Sequence, residues 1–269
     1  MGRGDGCTLY RMPRRRSFAA AGLGALGLGS GVATCSAFGD LGPGVRPLSL
    51  AGLGIETSLA LLAFAGALLS VRPVAVRLGL VGGRLSFCQL LVLAAGTVAL
   101  SHTLDSLLIL TGLREHSALG AFEATMAGAR GADLALALLA MAVAPALGEE
   151  FLCRGFVQCG LEPRHGAGRA VVGAALVFGL LHIDPVHAAF ATLLGLYLGA
   201  IAWLAGSVWA SVLCHGVNNT LAVLTASGVL GAPPGTLATA AVGLALAAAA
   251  LAGIALRLPP EGQRADSVQ

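Results

Sequence analysis

Polar and apolar positions in this chain are sorted into blocks rather than alternating. Apolar runs rich in Ala, Leu, Val and Gly lie near residues 18–38, 50–71, 86–112, 134–160, 169–183, 186–205, 207–229 and 236–256, and short stretches holding most of the arginines separate them. A helix that crosses a bilayer needs about 20 mostly apolar residues, and long uninterrupted runs of this kind argue for helix rather than strand. The pattern predicts an all-α fold, a polytopic transmembrane helix bundle of about eight spans. The first run follows RRRSF and is diluted by glycine. It reads as a signal anchor, which the spans behind it favour, or as a cleaved signal with twin-arginine character around Arg15, Arg16 and Phe18.

Composition agrees, with 57% hydrophobic and 11% charged residues, outside the range of soluble domains. The 16 basic residues are all arginines spread along the chain, so nucleic acid is excluded as a partner and the lipid bilayer is expected. The six cysteines show no CxxC pair and indicate neither a disulfide framework nor a thiolate metal site. With the N-terminus inside, Arg3, Arg11, Arg14, Arg15, Arg16, Arg72, Arg77, Arg84, Arg154, Arg164, Arg169, Arg257 and Arg264 fall on the inner side. Only Arg46, Arg114 and Arg130 fall outside, a positive-inside bias. Trp203 and Trp209 bracket the AGS connection as interfacial aromatics and place it at the inner face. Arginine without lysine, with abundant Ala and Gly, suggests a bacterium with GC-rich codons and hence its inner, or cell, membrane.

Against that background the stretch APALGEEFLCRGF at 144–156 stands out, because ionisable groups inside a membrane are expensive and mark function. Three sets of polar residues occur: Glu149, Glu150 and Arg154; Phe178 and His182; His215 and Asn219. Glu150 and Arg154 are four apart with the acid first, the favourable order for an ion pair on one helix face. Glu149 points about 100° away and has no partner on its own helix, which leaves it free for chemistry. Counted from the inner ends, Glu149 lies roughly 18 Å deep, His182 roughly 20 Å, and His215 and Asn219 roughly 12 to 18 Å. They share one layer and predict an intramembrane polar cavity opening toward the cytoplasm.

EEFLCR fits EExxxR, FGLLH fits FxxxH and HGVNN fits HxxxN. In these motifs, and in Phe190, Gly195, Gly199, Gly206 and Ser207 between them, the chain resembles the CPBP family of intramembrane proteases, which includes the CAAX prenyl endopeptidases, in its bacterial branch. The resemblance covers about residues 132–225. It implies a catalytic helical core (132–225), and the apolar runs and the arginine pattern set around it a basic cytoplasmic N-terminus (1–17), N-terminal spans (18–131), and a last span with a cytoplasmic tail (226–269). It also implies hydrolysis of a peptide bond near the membrane face of a membrane-associated or C-terminally anchored protein. Glu149 with His182 would activate water, His215 with Asn219 would bind the oxyanion, and Glu150, Arg154 and Phe178 would support them.

A metal-free, glutamate-type reaction is favoured, since HExxH spacing is missing. The alternative is zinc held by Glu149, His182 and His215. A proton-coupled transporter and a catalytically silent scaffold or immunity-type protein are the competing functions; the former lacks a visible internal repeat. A thiol nucleophile at Cys153 or Cys214 lacks a dedicated histidine on one face. His102 and Asp105 read as a satisfied kink or lumen contact in a long third span rather than an accessory polar pair, His187 as an outer-loop residue, and Gly195 with Gly199 as a helix-packing face.

Overall fold

The computed structural model describes residues 44–257, which contain helices and turns and no strand. The helices are α1 (Val45–Leu68), the single turn α2 (Val74–Arg77), α3 (Phe87–Leu110), α4 (Leu119–Met126), α5 (Gly131–His165), α6 (Ala167–Leu180), α7 (Pro185–Ala205), α8 (Val208–Ala226) and α9 (Leu237–Ala255). This is the expected all-α bundle. The run at 18–38 lies outside the described residues. Five helices, α1, α3, α5, α7 and α9, are long and apolar enough to cross a membrane. The expected count of eight is thereby reduced among the described residues, for two physical reasons. Helix α6 has 14 residues and reaches about 21 Å, short of the roughly 30 Å hydrocarbon core. Helix α8 has the length, but His215, Asn218 and Asn219 dilute its apolar character.

Local chemistry sets where the helices begin and end. Ser86 and Gln89 form a reciprocal capping box at the start of α3. Asp184 caps α7 through the amides of Val186 (2.9 Å) and His187 (3.3 Å), with Pro185 in the first turn, where its missing N–H costs nothing. Gly206, at φ 64°, closes α7 in the left-handed conformation.

The 35-residue α5 is central, packing against α1, α6 and α8. Helices α3 and α9 approach so closely that a Cβ on Gly243 would lie 2.6 Å from Ala99 O, and the Thr103 hydroxyl donates to Ala240 O across the interface at 3.0 Å. One buried cluster joins Leu93, Cys153, Phe178, Leu198, Ile201 and Cys214; a second joins Leu59, Leu78, Leu152, Phe156 and Val208. Cys159 is disulfide-bonded, which the scattered cysteines did not predict.

At one end of the bundle the connection between α1 and α3 docks on the α7–α8 turn. Val208 N donates to Gly79 O (3.0 Å), Arg84 N to Ala205 O (3.0 Å) and Ser207 Oγ to Val81 O (2.7 Å). The Arg84 guanidinium reaches the carbonyls of Leu204 (2.8 Å) and Trp203 (3.0 Å) in the last turn of α7, where carbonyls outnumber the donors within the helix. Arg77 donates to Gly155 O at 3.2 Å. Arginines that the charge pattern assigns to one face thus meet the Trp203–Trp209 connection at one end.

Candidate active site

The site is built on an irregularity of α5. Two π-helical turns, Leu139–Val143 and Phe151–Gln158, flank the α-helical residues Ala144–Glu150. Pro145 has no N–H to give to the carbonyl four residues earlier. That carbonyl, Met141 O, instead accepts the Asn219 side-chain amide from α8 at 3.2 Å. Gly148 lets α1 close on this segment, since a Cβ there would lie 2.6 Å from Glu56 O. Turns of this kind displace side chains from regular helical spacing and recur at functional sites.

Glu150 has no exposed surface and Arg154 almost none. Their expected ion pair is present, with Arg154 Nη1 donating to Glu150 Oε1 at 2.7 Å. Arg154 Nη2 donates to Gly195 O at 3.0 Å, and its guanidinium carbon lies 4.4 Å from the centre of the Phe178 ring. The Gly195 and Gly199 backbone is reachable because neither carries a side chain: a Cβ at Gly195 would lie 3.1 Å from Phe178, and Gln158 Nε2 donates to Gly199 O at 3.0 Å. These glycines form the expected packing face and also expose acceptors to α5.

Glu150 does more than neutralise Arg154. Its Oε1 also lies 3.0 Å from His215 Nδ1, while His215 Nε2 faces Glu149 Oε2 at 3.8 Å. A carboxylate paired with arginine can only accept, so His215 carries a proton on Nδ1 and, when neutral, directs the Nε2 lone pair at Glu149. The two glutamates, expected on different faces with different neighbours, flank one imidazole. Phe178 links this group to the second histidine, its ring centre 5.7 Å from His215 and 5.2 Å from His182. His182 Nδ1 donates to Phe178 O at 2.9 Å, which leaves Nε2 free in the neutral ring.

His182 sits in the turn after α6, not within a span. Ile183 beside it has φ 60°, a conformation that a β-branched residue rarely adopts, and the turn folds His187 back to 4.4 Å from the His182 ring. His187 is therefore not an outer-loop residue remote from the site. Asp184 continues this ordered edge: its Oδ2 accepts from Ala118 N (2.6 Å) and Ser117 Oγ (2.7 Å). These bonds, the Ala118 amide foremost, lower its carboxyl from the ordinary value to about 2.

The structure brings Glu149, Glu150, Arg154, Phe178, His182 and His215 into one connected group. Asn219 lies one turn from His215 on α8, bonded to Met141 O and to Asn218 (3.2 Å). Among the described residues no three His, Cys, Asp or Glu side chains are gathered so that they could hold a metal ion. Cys153 and Cys214 have no exposed surface, which denies a thiol nucleophile access to substrate. Asp105 pairs with Arg114, which also holds Glu123, and so is satisfied.

Two residues near the site were not assigned to it from sequence. His187 was signalled by Asp184–Pro185, a helix-start pair that places it in the first turn of α7. Glu56, a lone acid in the apolar run of α1, is 8% exposed and packs against Gly148.

Residues 131–221 match the family model described as Type II CAAX prenyl endopeptidase Rce1-like. No curated protein and no solved structure matches the chain. The matched segment runs from the start of α5 into α8 and contains the three polar motifs, so over these residues the chain is similar to the CAAX-type membrane proteases.

Proposed function

We propose that this protein is an intramembrane endopeptidase that hydrolyses a peptide bond near the membrane face of a membrane-associated or C-terminally anchored protein, with Glu149 as the base that activates water. The observation that carries the proposal is the clamp on His215. Glu150 accepts from Nδ1 and fixes the ring, and Nε2 faces Glu149 across a 3.8 Å gap. That gap is too long for a direct hydrogen bond, and a water within hydrogen-bonding reach of both groups fits across it.

In the reaction, Glu149 takes a proton from the water as its oxygen attacks the amide carbonyl, and the developing charge requires donors. His215, neutral with its proton on Nδ1, accepts the second O–H of the water at Nε2 and orients it for attack. Asn219 has one N–H committed to Met141 O and a second left for the oxyanion. His182, anchored at Nδ1, offers Nε2 on the other side of Phe178 for positioning the substrate or water. The proton on Glu149 then passes to the leaving amine as the C–N bond breaks.

The end bearing Arg72, Arg77 and Arg84 is assigned to the cytoplasm, in a bacterial cell membrane, with the N-terminus on that side. The substrate class is the C-terminal tail or membrane anchor of an exported protein. Comparing membrane peptidomes of cells with and without the gene, and with Glu149→Gln, tests this. Peptides from one or a few anchored proteins should appear only with the intact protein, and identical peptidomes would overturn the proposal. Metal dependence is tested by elemental analysis of active protein with prolonged chelation. Activity should persist. Stoichiometric zinc, with activity lost on removal and restored on addition, would reassign Glu149, His182 and His215 as ligands.

A further inference from the structure

His187 stands in the first turn of α7 and belongs to none of the three motifs. Its ring nevertheless meets the site. The centres of the His187 and His182 rings are 4.4 Å apart, with the planes inclined at 64° in an edge-to-face contact. His182 has one polar anchor, the 2.9 Å bond from Nδ1 to Phe178 O. A single bond leaves the plane of an imidazole poorly fixed, because the last torsion of a histidine side chain is broad. Two aromatic neighbours supply the missing restraint: Phe178 at 5.2 Å and His187 at 4.4 Å. Phe178 is buried and lies 4.4 Å from the Arg154 guanidinium carbon, so its own place is set by the core. His187 comes from the next helix and has to be brought back.

The turn between α6 and α7 is built to do this. Ile183 has φ 60°, and such a conformation in a β-branched residue persists only where its surroundings over-determine it. Asp184 provides that determination. Its Oδ1 accepts from Val186 N (2.9 Å) and from His187 N (3.3 Å), and its Oδ2 accepts from Ser117 Oγ (2.7 Å) and Ala118 N (2.6 Å). One carboxyl therefore holds the backbone of His187 itself and ties it to the segment that enters α4. Phe122 and Met126 of α4 in turn share a cluster with Val223 of α8, the helix that carries His215. The His187 ring is thus placed by contacts outside α6, independently of the helix that carries His182.

We propose that His187 is a positioning residue of the hydrolytic site, its ring held by the Asp184 cap so that it fixes the plane of His182 and keeps Nε2 in one direction. The proposal rests on the reading of His182 as the group that positions water or substrate. The role belongs to the shape of an aromatic ring and not to a proton on it. Phenylalanine can therefore take the place of His187, and alanine cannot.

The test pairs a substrate-free readout with a kinetic one, both on the full chain in lipid vesicles. Nitrogen-15 spectra are recorded on histidine-labelled protein at about pH 8.5, where an ordinary histidine is neutral, and His182 is identified by the signal missing from His182→Gln. Wild-type His182 should show one neutral ring protonated on Nδ1. That signal should be kept in His187→Phe and give way in His187→Ala to an average over two tautomers. With an anchored substrate, His187→Ala should lower kcat by up to about 10²-fold with KM little changed, the effect of misplacing a reacting geometry by about 1 Å. His187→Phe should recover most of that loss. An unchanged His182 signal in folded His187→Ala, an unchanged kcat in it, or a His187→Phe as impaired as His187→Ala would each overturn the proposal. If His187→Ala does not fold, Asp184→Ala decides: it removes the cap and no part of either ring, and should average the same signal, whereas an unchanged His182 signal would overturn the proposal. A His182 signal that responds as expected in a protein without peptidase activity would sink the proteolytic reading and leave the ring contact standing.

Discussion

Replacing Glu150 by Gln keeps the shape of the side chain and removes its charge. The residue has no exposed surface and accepts from Arg154 at 2.7 Å and from His215 at 3.0 Å. The substitution leaves the Arg154 guanidinium buried with carbonyl and ring contacts only, and breaking one side of a buried pair costs about 3–5 kcal/mol. At about 2–4 °C per kcal/mol for a domain of this size, the thermal transition should fall by roughly 6–20 °C. The double variant Glu150→Gln with Arg154→Met removes both charges, and replacement of a whole buried pair is often close to neutral. It should recover at least about 2 kcal/mol relative to the sum of the single changes. The assay is thermal unfolding of purified protein in one detergent, with all four members of the cycle measured together. A transition for Glu150→Gln within about 2 °C of wild type, or a double variant as unstable as the additive sum, would refute the coupling.

Other outcomes follow from local geometry. Gly148→Ala places a Cβ 2.6 Å from Glu56 O, a backbone atom that cannot swing aside, and should cost about 1–3 kcal/mol. Gly253→Ala in α9 meets nothing within 4 Å and should be neutral or stabilising by up to about 1 kcal/mol in the same thermal assay. Asp184→Ala removes the α7 cap and should cost about 1 kcal/mol, with faster hydrogen exchange at Ala118. Because the folded carboxyl titrates at about 2, below the ordinary value near 3.9, its contribution should be complete above about pH 4. It should be lost as pH falls toward 2, and an unchanged acid titration in Asp184→Ala would contradict this. Reporter fusions at residues 166 and 120 should report opposite faces, with 166 cytoplasmic; the reverse at both would overturn the assigned orientation.

What could be read from sequence was what a regular helix preserves. The spacing of Glu150 to Arg154 and of Phe178 to His182 survives as direct contact because residues four apart share a helix face. The separation of Glu149 from Glu150 did not survive as expected. The sequence reading treated α5 as a uniform helix, whereas a π turn starts at Phe151 and His215 inserts its two nitrogens toward both acids. Asn219 was read only as an oxyanion donor because the carbonyl left open by Pro145 becomes visible once α8 is packed against α5. His187 reaches the site because Asp184 and Pro185 start α7 and the turn at Ile183 folds it back on His182, which spacing along the chain does not show. Glu56 was legible, since a lone acid in an apolar run is itself a functional signal, but no motif spacing connects α1 to α5. The close approach of α1 to α5 at Glu56 depends on the missing side chain of Gly148.

The central claim, that Glu149 activates water for peptide hydrolysis, is tested most directly by Glu149→Gln in purified protein reconstituted into vesicles with an anchored protein substrate identified from the peptidome. The variant should fold with a thermal transition close to wild type, because Glu149 makes no ion pair with Arg154 and faces His215 at 3.8 Å. Its turnover should fall by roughly 10²–10⁴-fold, the contribution of a positioned general base. Full turnover by correctly folded Glu149→Gln would contradict the account.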